Sequence, residues 1–141
     1  MLKILLPVDG SDSSNKSVAD FIQLMDCYKE TPEIHLLNVQ LPLDGNISLF
    51  IDKENIKQYH QEEGMEKLQN ARELLGQAEL TCQIHIVVGE PAEIIVSFAK
   101  EKLFDRIVIG PRGMGVVKSL LLGSVTNKVM QLSTTPVLLV K

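Results

Sequence analysis

The sequence contains no tryptophan, and aromatic residues make up only 4% of its 141 positions. That scarcity excludes a platform of exposed rings on which single-stranded bases would stack. Cysteine is almost as scarce. Cys27 and Cys82 stand far apart without CxxC spacing, which excludes a thioredoxin-type motif and a zinc ligand set and leaves two reduced, buried thiols as the expectation. No apolar run approaches the length of a membrane span. The opening run Ile4-Leu-Leu-Pro7 is too short for a signal-peptide core and is followed by no cleavage site. A soluble cytoplasmic protein is therefore expected. Excess positive charge is lacking too. Fourteen Lys and Arg against 18 Asp and Glu leave a net charge of −4, which argues against general affinity for nucleic acid or an anionic membrane. An anionic small ligand stays open, because backbone N–H groups attract anions without carrying formal charge.

Several phosphate and catalytic signatures are also missing. There is no GxxxxGK followed by Ser or Thr, hence no Walker-type loop, and no GxSxG nucleophile elbow. Gly110-x-x-Gly113-x-Gly115 is not GxGxxG, and no acidic residue follows at ribose distance, which disfavours a dinucleotide site. His35 and His85 fall in the second and third predicted strands and could be neighbours in a sheet, but no third ligand for a metal is apparent. Glu62, Glu63 and Glu66 read as a solvated helix face rather than as catalytic carboxylates.

What is present describes one globular domain over residues 1–141, with 45% apolar and 23% charged residues. Short apolar runs at Leu2–Val8, Glu33–Val39, Thr81–Val88, Phe104–Ile109 and Thr135–Val140 read as strands. Asp12, Ser13 and Ser14 offer cap oxygens for a first helix, whose apolar face holds Val18, Phe21, Ile22 and Met25. A polar helix spans Asp52 to Gln77, weakened in its middle by Gly64. Pro91 opens another helix, with Ile94, Ile95, Phe98 and Ala99 on its buried face. Leu41 to Phe50 is the one long loop expected. Its apolar members Leu43, Ile47, Leu49 and Phe50 suit a segment that folds over a pocket or meets a partner. Strands alternating with helices predict an α/β fold, an open parallel sheet covered by helices on both faces. Ligands bind such sheets at the carboxyl ends of the strands. Pro7-Val-Asp-Gly10, Asn38-Val-Gln40 and the stretch from Gly110 onward lie at such ends.

The late glycine-rich stretch carries the most specific signal. Its spacing, Gly110-x2-Gly113-x9-Gly123-Ser124 after the fourth strand, resembles the nucleotide-binding signature of the universal stress protein family. Ile4-Leu-Leu-Pro-Val-Asp9-Gly-Ser11, Gly89-Glu-Pro91 and Thr135-Pro-Val-Leu-Leu-Val140 are similar to other parts of that family, in the right order. The resemblance implies a five-stranded parallel sheet of order 3-2-1-4-5, Rossmann-like and of the adenine nucleotide alpha hydrolase-like type. It also implies membership of the ATP-binding subgroup. Pro7, Val8 and Asp9 would line the adenosine end, and Val39 would offer backbone groups to adenine. Gly110, Pro111, Arg112, Gly113, Met114, Gly115 and Val116 would wrap ribose and phosphates. Gly123, Ser124 and Val125 would meet the phosphates at a helix start. The family further implies a homodimer through the last strand, at Val137, Leu138, Leu139 and Val140, and a stress-response signalling role with an unspecified downstream protein.

Physical chemistry fits that assignment. The Ser124 hydroxyl can reach a phosphate, and a helix N-terminus carries partial positive charge. Arg112 and Lys118 could add full charges or stand as ordinary solvated surface. Pro111 departs from the best cradle because it lacks an N–H. Asp9 is the one candidate carboxylate for Mg²⁺ and equally suits a helix cap. With no evident base, the expectation is nucleotide binding with slow hydrolysis at most. A protein-interaction module of the same fold without nucleotide, and a genuine slow ATPase, are the alternatives.

Overall fold

Each apolar run becomes a strand because neighbouring strands can hydrogen-bond its backbone while helices bury both of its faces. The computed structural model describes residues 1–112 and 121–141. Its strands are β1 (Lys3–Pro7), β2 (Glu33–Gln40), β3 (Cys82–Val88), β4 (Arg106–Ile109) and β5 (Val137–Leu139). They form one sheet of order β3-β2-β1-β4-β5, with every neighbouring pair parallel. The predicted runs extend beyond the ladders at several ends. Val8, Phe104 and Val140 lie outside the strands yet are buried. Apolar patterning therefore reports burial, which continues after the backbone pairing stops.

The helices are α1 (Asp12–Gln23), the four-residue α2 (Gly45–Ser48), α3 (Lys53–Gln77), α4 (Pro91–Glu101) and α5 (Ser124–Leu132). Packing of α1 and α3 on one face buries Ile4, Leu6, Ile34 and Leu36 against Phe21, Leu68 and Ala71. On the other face α4 and α5 cover Leu5, Leu37, Ile107 and Ile109 with Ala92, Ile95 and Val129. The cap of α1 is Ser11 rather than Asp12, Ser13 or Ser14; its Oγ accepts the Ser14 N–H at 3.1 Å. Gly10, at φ +83°, turns the chain sharply enough for the helix to begin this early. Gly64 has a packing role as well as a propensity cost. Here α3 lies so close to β3 that a Cβ would come within 2.6 Å of Ile86 Cγ2.

Two expectations are corrected. Cys27 is exposed, in a short 3-10 turn after α1, and only Cys82 is half-buried; burial pushes the Cys82 thiol up. In the 41–50 segment only Leu43 is half-buried. Leu49 and Phe50 are 80% and 88% exposed, so these apolar side chains stand in solvent rather than over a pocket.

His35 and His85 do meet across β2 and β3. Glu33 Oε1 lies 2.6 Å from His35 Nε2, and His35 Nδ1 lies 2.7 Å from His85 Nε2. The carboxylate must accept, so His35 Nε2 carries its hydrogen; in the neutral pair His85 Nε2–H then donates to His35 Nδ1. The facing nitrogens share a proton instead of leaving two lone pairs for a metal. Burial, then the adjoining His35 ring and the charges of Lys3 and Lys102, hold the His85 pKa below the ordinary histidine value of 6.5. Below that pH the unfolded chain takes up a proton that folded His85 resists. Stability is therefore expected to hold above about pH 6.5 and to fall as pH drops toward the lowered value. Denaturant titrations at successive pH values check this, with His85→Phe flattening the slope.

Candidate functional site

The strand order reverses between β1 and β4, and their carboxyl ends open the crevice where such sheets take ligands. β1 ends at Pro7, and Val8 follows, 3% exposed. Asp9 is held at the start of α1. Its Oδ1 accepts the Ser11 N–H at 2.9 Å, and its own N–H donates to Ser14 Oγ at 3.2 Å. This places a carboxylate at the crevice and bends the chain toward α1.

On the other side β4 delivers Gly110. It is buried, and a Cβ there would collide with Ser17 Oγ on α1. Its carbonyl accepts Thr126 Oγ1 of α5 at 2.7 Å. The Pro111 carbonyl accepts the Gly123 N–H at 2.6 Å, and the Arg112 carbonyl accepts Ser13 Oγ at 3.0 Å. These bonds tie both ends of the glycine-rich segment together and fasten it to α1. Gly113, Met114, Gly115, Val116 and Lys118 lie outside the described residues.

Gly123 caps α5 in extended conformation (φ −67°, ψ 162°), and among the described residues no side chain caps that helix. The first intrahelical bond runs from Asn127 N–H to Gly123 O. The amides of Ser124, Val125 and Thr126 therefore point out of the helix start as donors for an anion. Ser124 is exposed beside them, whereas the Val125 side chain packs into the α4–α5 core. At Val125 only the backbone is available to a phosphate.

Val39 is reached from the other flank of β1. Val8 N–H donates to Leu37 O, and Gly89 N–H donates to Gln40 O. Strand alternation then turns both the N–H and the C=O of Val39 toward β1. There the ladder has ended: Pro7 opposite Leu37 is the last pair. In a continued ladder the Val8 carbonyl would accept the Val39 N–H. Instead it accepts Asn38 Nδ2 at 2.9 Å. Among the described residues, no backbone bond to the Val39 N–H is made from β1 or the turn after it. A donor and an acceptor are left side by side at the crevice.

The residues predicted for the adenosine end and for the helix start thus lie at one end of the sheet. Sequence reasoning placed Asn38 in the segment at the end of the second strand without giving it a role, and missed Ser17 and Thr126. Asn38 had a legible signal, a polar residue inside an apolar strand; Ser17 and Thr126 act through contacts distant in sequence and had none. For the proposed dimer strand, β5 pairs with β4 on one edge, with Val137, Leu138 and Leu139 half-buried. Val140 is 7% exposed, packed within the core on the α1–α3 face. Its side chain is engaged inside the protomer.

A family model, that of the universal stress protein family, matches residues 1–141. The chain belongs to the universal stress protein family. A relative in Bacillus subtilis, universal stress protein YxiE, is 36% identical over 149 residues, covering 99% of this chain and 98% of its own. The solved structure of MJ0577, a universal stress protein of Methanocaldococcus jannaschii, superposes with a TM-score of 0.83 at 31% identity, covering 99% of this chain and 95% of that one. A universal stress protein solved in complex with cAMP gives a TM-score of 0.72 at 25% identity, covering 99% of this chain and 97% of that one. The five-stranded parallel sheet of this universal stress protein is the family's Rossmann-like fold. No helix among its described residues is long and apolar enough to cross a membrane.

Proposed function

We propose that this universal stress protein binds an adenine nucleotide, ATP with Mg²⁺ in the fullest case, at the carboxyl ends of β1, β2 and β4. The observation that carries the reading is the Val39 backbone, whose N–H and C=O face the crevice together after β1 has ended. Adenine offers an acceptor, N1, beside a donor, the 6-amino group. Guanine offers the reverse order, O6 beside N1–H. A paired N–H and C=O matches adenine in one orientation of the base and guanine in the reverse one, so a preference for adenine would follow from the side on which the ribose and phosphates sit. The relative in complex with cAMP supports the ligand class.

Pro7, Val8 and Asp9 would border the nucleoside, Gly110 to Val116 would follow ribose and phosphates, and the first amides of α5 with Ser124 would meet the phosphates. Asp9 would supply one carboxylate to Mg²⁺. That suits an ion which keeps waters and phosphate oxygens as its other ligands. Among the described residues no group of three His, Cys, Asp or Glu forms a metal cage, so the nucleotide itself would carry the ion. With no general base evident among the described residues at the crevice, hydrolysis would stay below about one turnover per minute, far under the usual range for phosphoryl-transfer enzymes. The role that follows is a switch in stress signalling, read by a downstream protein, with the second copy joined along the free edge of β5. Sedimentation at micromolar concentration tests the dimer; a monomer there rejects it.

Exposed Leu49 and Phe50 favour a second reading, a protein-interaction module whose partner contacts are independent of nucleotide. Mass spectrometry of small molecules released on denaturing the protein, before and after incubation with millimolar ATP, separates the two. The first reading predicts an adenylate approaching one per chain after incubation. Recovery of none from folded protein favours the second.

A further inference from the structure

Among the described residues the Val39 N–H makes no backbone bond, and a side chain meets the carbonyl it would otherwise reach. Continuing the β1–β2 register sets Val8 opposite Asn38, and the Val8 carbonyl is then the natural acceptor for Val39. Asn38 Nδ2 occupies that acceptor at 2.9 Å, from a side chain that is only 2% exposed. The polarity of everything behind it follows. A carbonyl can only accept, so Asn38 must turn its NH₂ to Val8 and its Oδ1 away. That Oδ1 accepts Gln40 Nε2 at 2.7 Å. Gln40 is left with Oε1 facing His60 Nδ1 at a longer 3.4 Å, so His60 carries hydrogen on Nδ1. His60, 5% exposed, belongs to α3, one turn before Gly64 meets Ile86. The relay anchors the end of β2 to α3.

We propose that Asn38, aligned by Gln40 and His60, is a positioning residue that keeps the Val39 N–H available to the base of the bound nucleotide. The proposal rests on the reading of this crevice as an adenylate site. Without the Asn38 amide, the Val8 carbonyl loses its partner, and the nearest replacement by sheet geometry is the Val39 N–H. Forming that bond lengthens the β1–β2 ladder by one step and satisfies both groups. The cost falls on the ligand, which loses a donor. Asn38 thus trades one backbone hydrogen bond for an open reading edge.

The test uses the full chain with Asn38→Leu, which keeps the side-chain volume and removes the amide. Two readouts are taken. The first needs no ligand: hydrogen exchange of the Val39 amide is expected to be fast in the parent protein and markedly slowed in Asn38→Leu. The second is binding of ATP, GTP and tripolyphosphate. ATP is expected to weaken about tenfold or more, the effect of one lost hydrogen bond in a desolvated site. Tripolyphosphate should be unchanged and the preference for ATP over GTP reduced. A merely structural role would weaken all three ligands together. Gln40→Leu, at the half-buried second link, is measured in parallel and should shift both readouts in the same direction by less; it decides the matter if Asn38→Leu does not fold. Unchanged Val39 exchange, or an unchanged ATP-to-GTP ratio in variants that bind, overturns the proposal. Failure of the parent protein to bind ATP overturns the reading of the site instead, and the exchange measurement still decides whether Asn38 holds the Val39 N–H open.

Discussion

Gly123→Val is expected to weaken adenylate binding by about 100-fold while leaving the fold in place. Gly123 stands at the cap of α5 with the amides of Ser124, Val125 and Thr126 next to it, and among the described residues no side chain caps them. A β-branched side chain there would shield those amides from a phosphate. Losing two hydrogen bonds to a charged group, each contributing about 1.5–3 kcal/mol, corresponds to a factor of about 100 or more. The backbone at Gly123 is ordinary extended chain, which valine adopts readily, and the Gly123 N–H can still donate to Pro111 O. The cost in stability should stay near 1 kcal/mol, mainly from a poorer cap residue. Calorimetric titration with ATP, alongside a denaturant melt, checks both parts. A variant that binds ATP as the parent does would show that the helix start is not where the phosphates sit.

Gly110→Ala should destabilise the protein by about 1–3 kcal/mol, the usual cost of forcing extra volume into a packed interior. Its new Cβ would collide with Ser17 Oγ and come within 3.1 Å of Ser17 Cβ. Ser17 donates that hydroxyl to Ser13 O, and Ser13 in turn donates to the Arg112 carbonyl. Pushing Ser17 aside therefore disturbs the joint between α1 and the glycine-rich segment, and nucleotide binding should fall with stability. Adding Ser17→Ala removes the colliding oxygen and leaves the 3.1 Å contact, which a shift of a few tenths of an ångström relieves. The double variant is expected to recover most of the lost stability. Strictly additive losses in a double-mutant cycle would contradict this contact as the cause.

The sheet and its helices were legible because alternation of short apolar strands with amphipathic helices admits few arrangements, and the family resemblance supplied the strand order. The meeting of His35 and His85 was readable in outline, since consecutive strands commonly pair. Their shared hydrogen bond was not, because it depends on side-chain reach within a particular register. Helix caps slipped by a residue at α1, where Ser11, Asp12, Ser13 and Ser14 all offer suitable oxygens and only the Gly10 turn selects among them. Cys27 broke the expectation of a buried thiol because it falls past the end of α1 in the 3-10 turn, where Met25 and Tyr28 face the core and Cys27 does not.

At the candidate site the glycine spacing was legible and its supports were not. Ser17 beneath Gly110 and Thr126 on its carbonyl are contacts between segments far apart in the chain. Val39 was assigned its role by resemblance. What would suit it to the proposed role, a ladder whose last pair is Pro7 with Leu37 and an Asn38 amide on the Val8 carbonyl, is visible only once the strands are paired.

The account is tested most directly by titrating the folded protein with ATP and, separately, with GTP in the calorimeter. It predicts saturable binding of ATP at one site per chain with a dissociation constant in the micromolar range, and clearly weaker binding of GTP. No heat of binding from ATP up to millimolar concentration, or equal affinity for the two nucleotides, would contradict it.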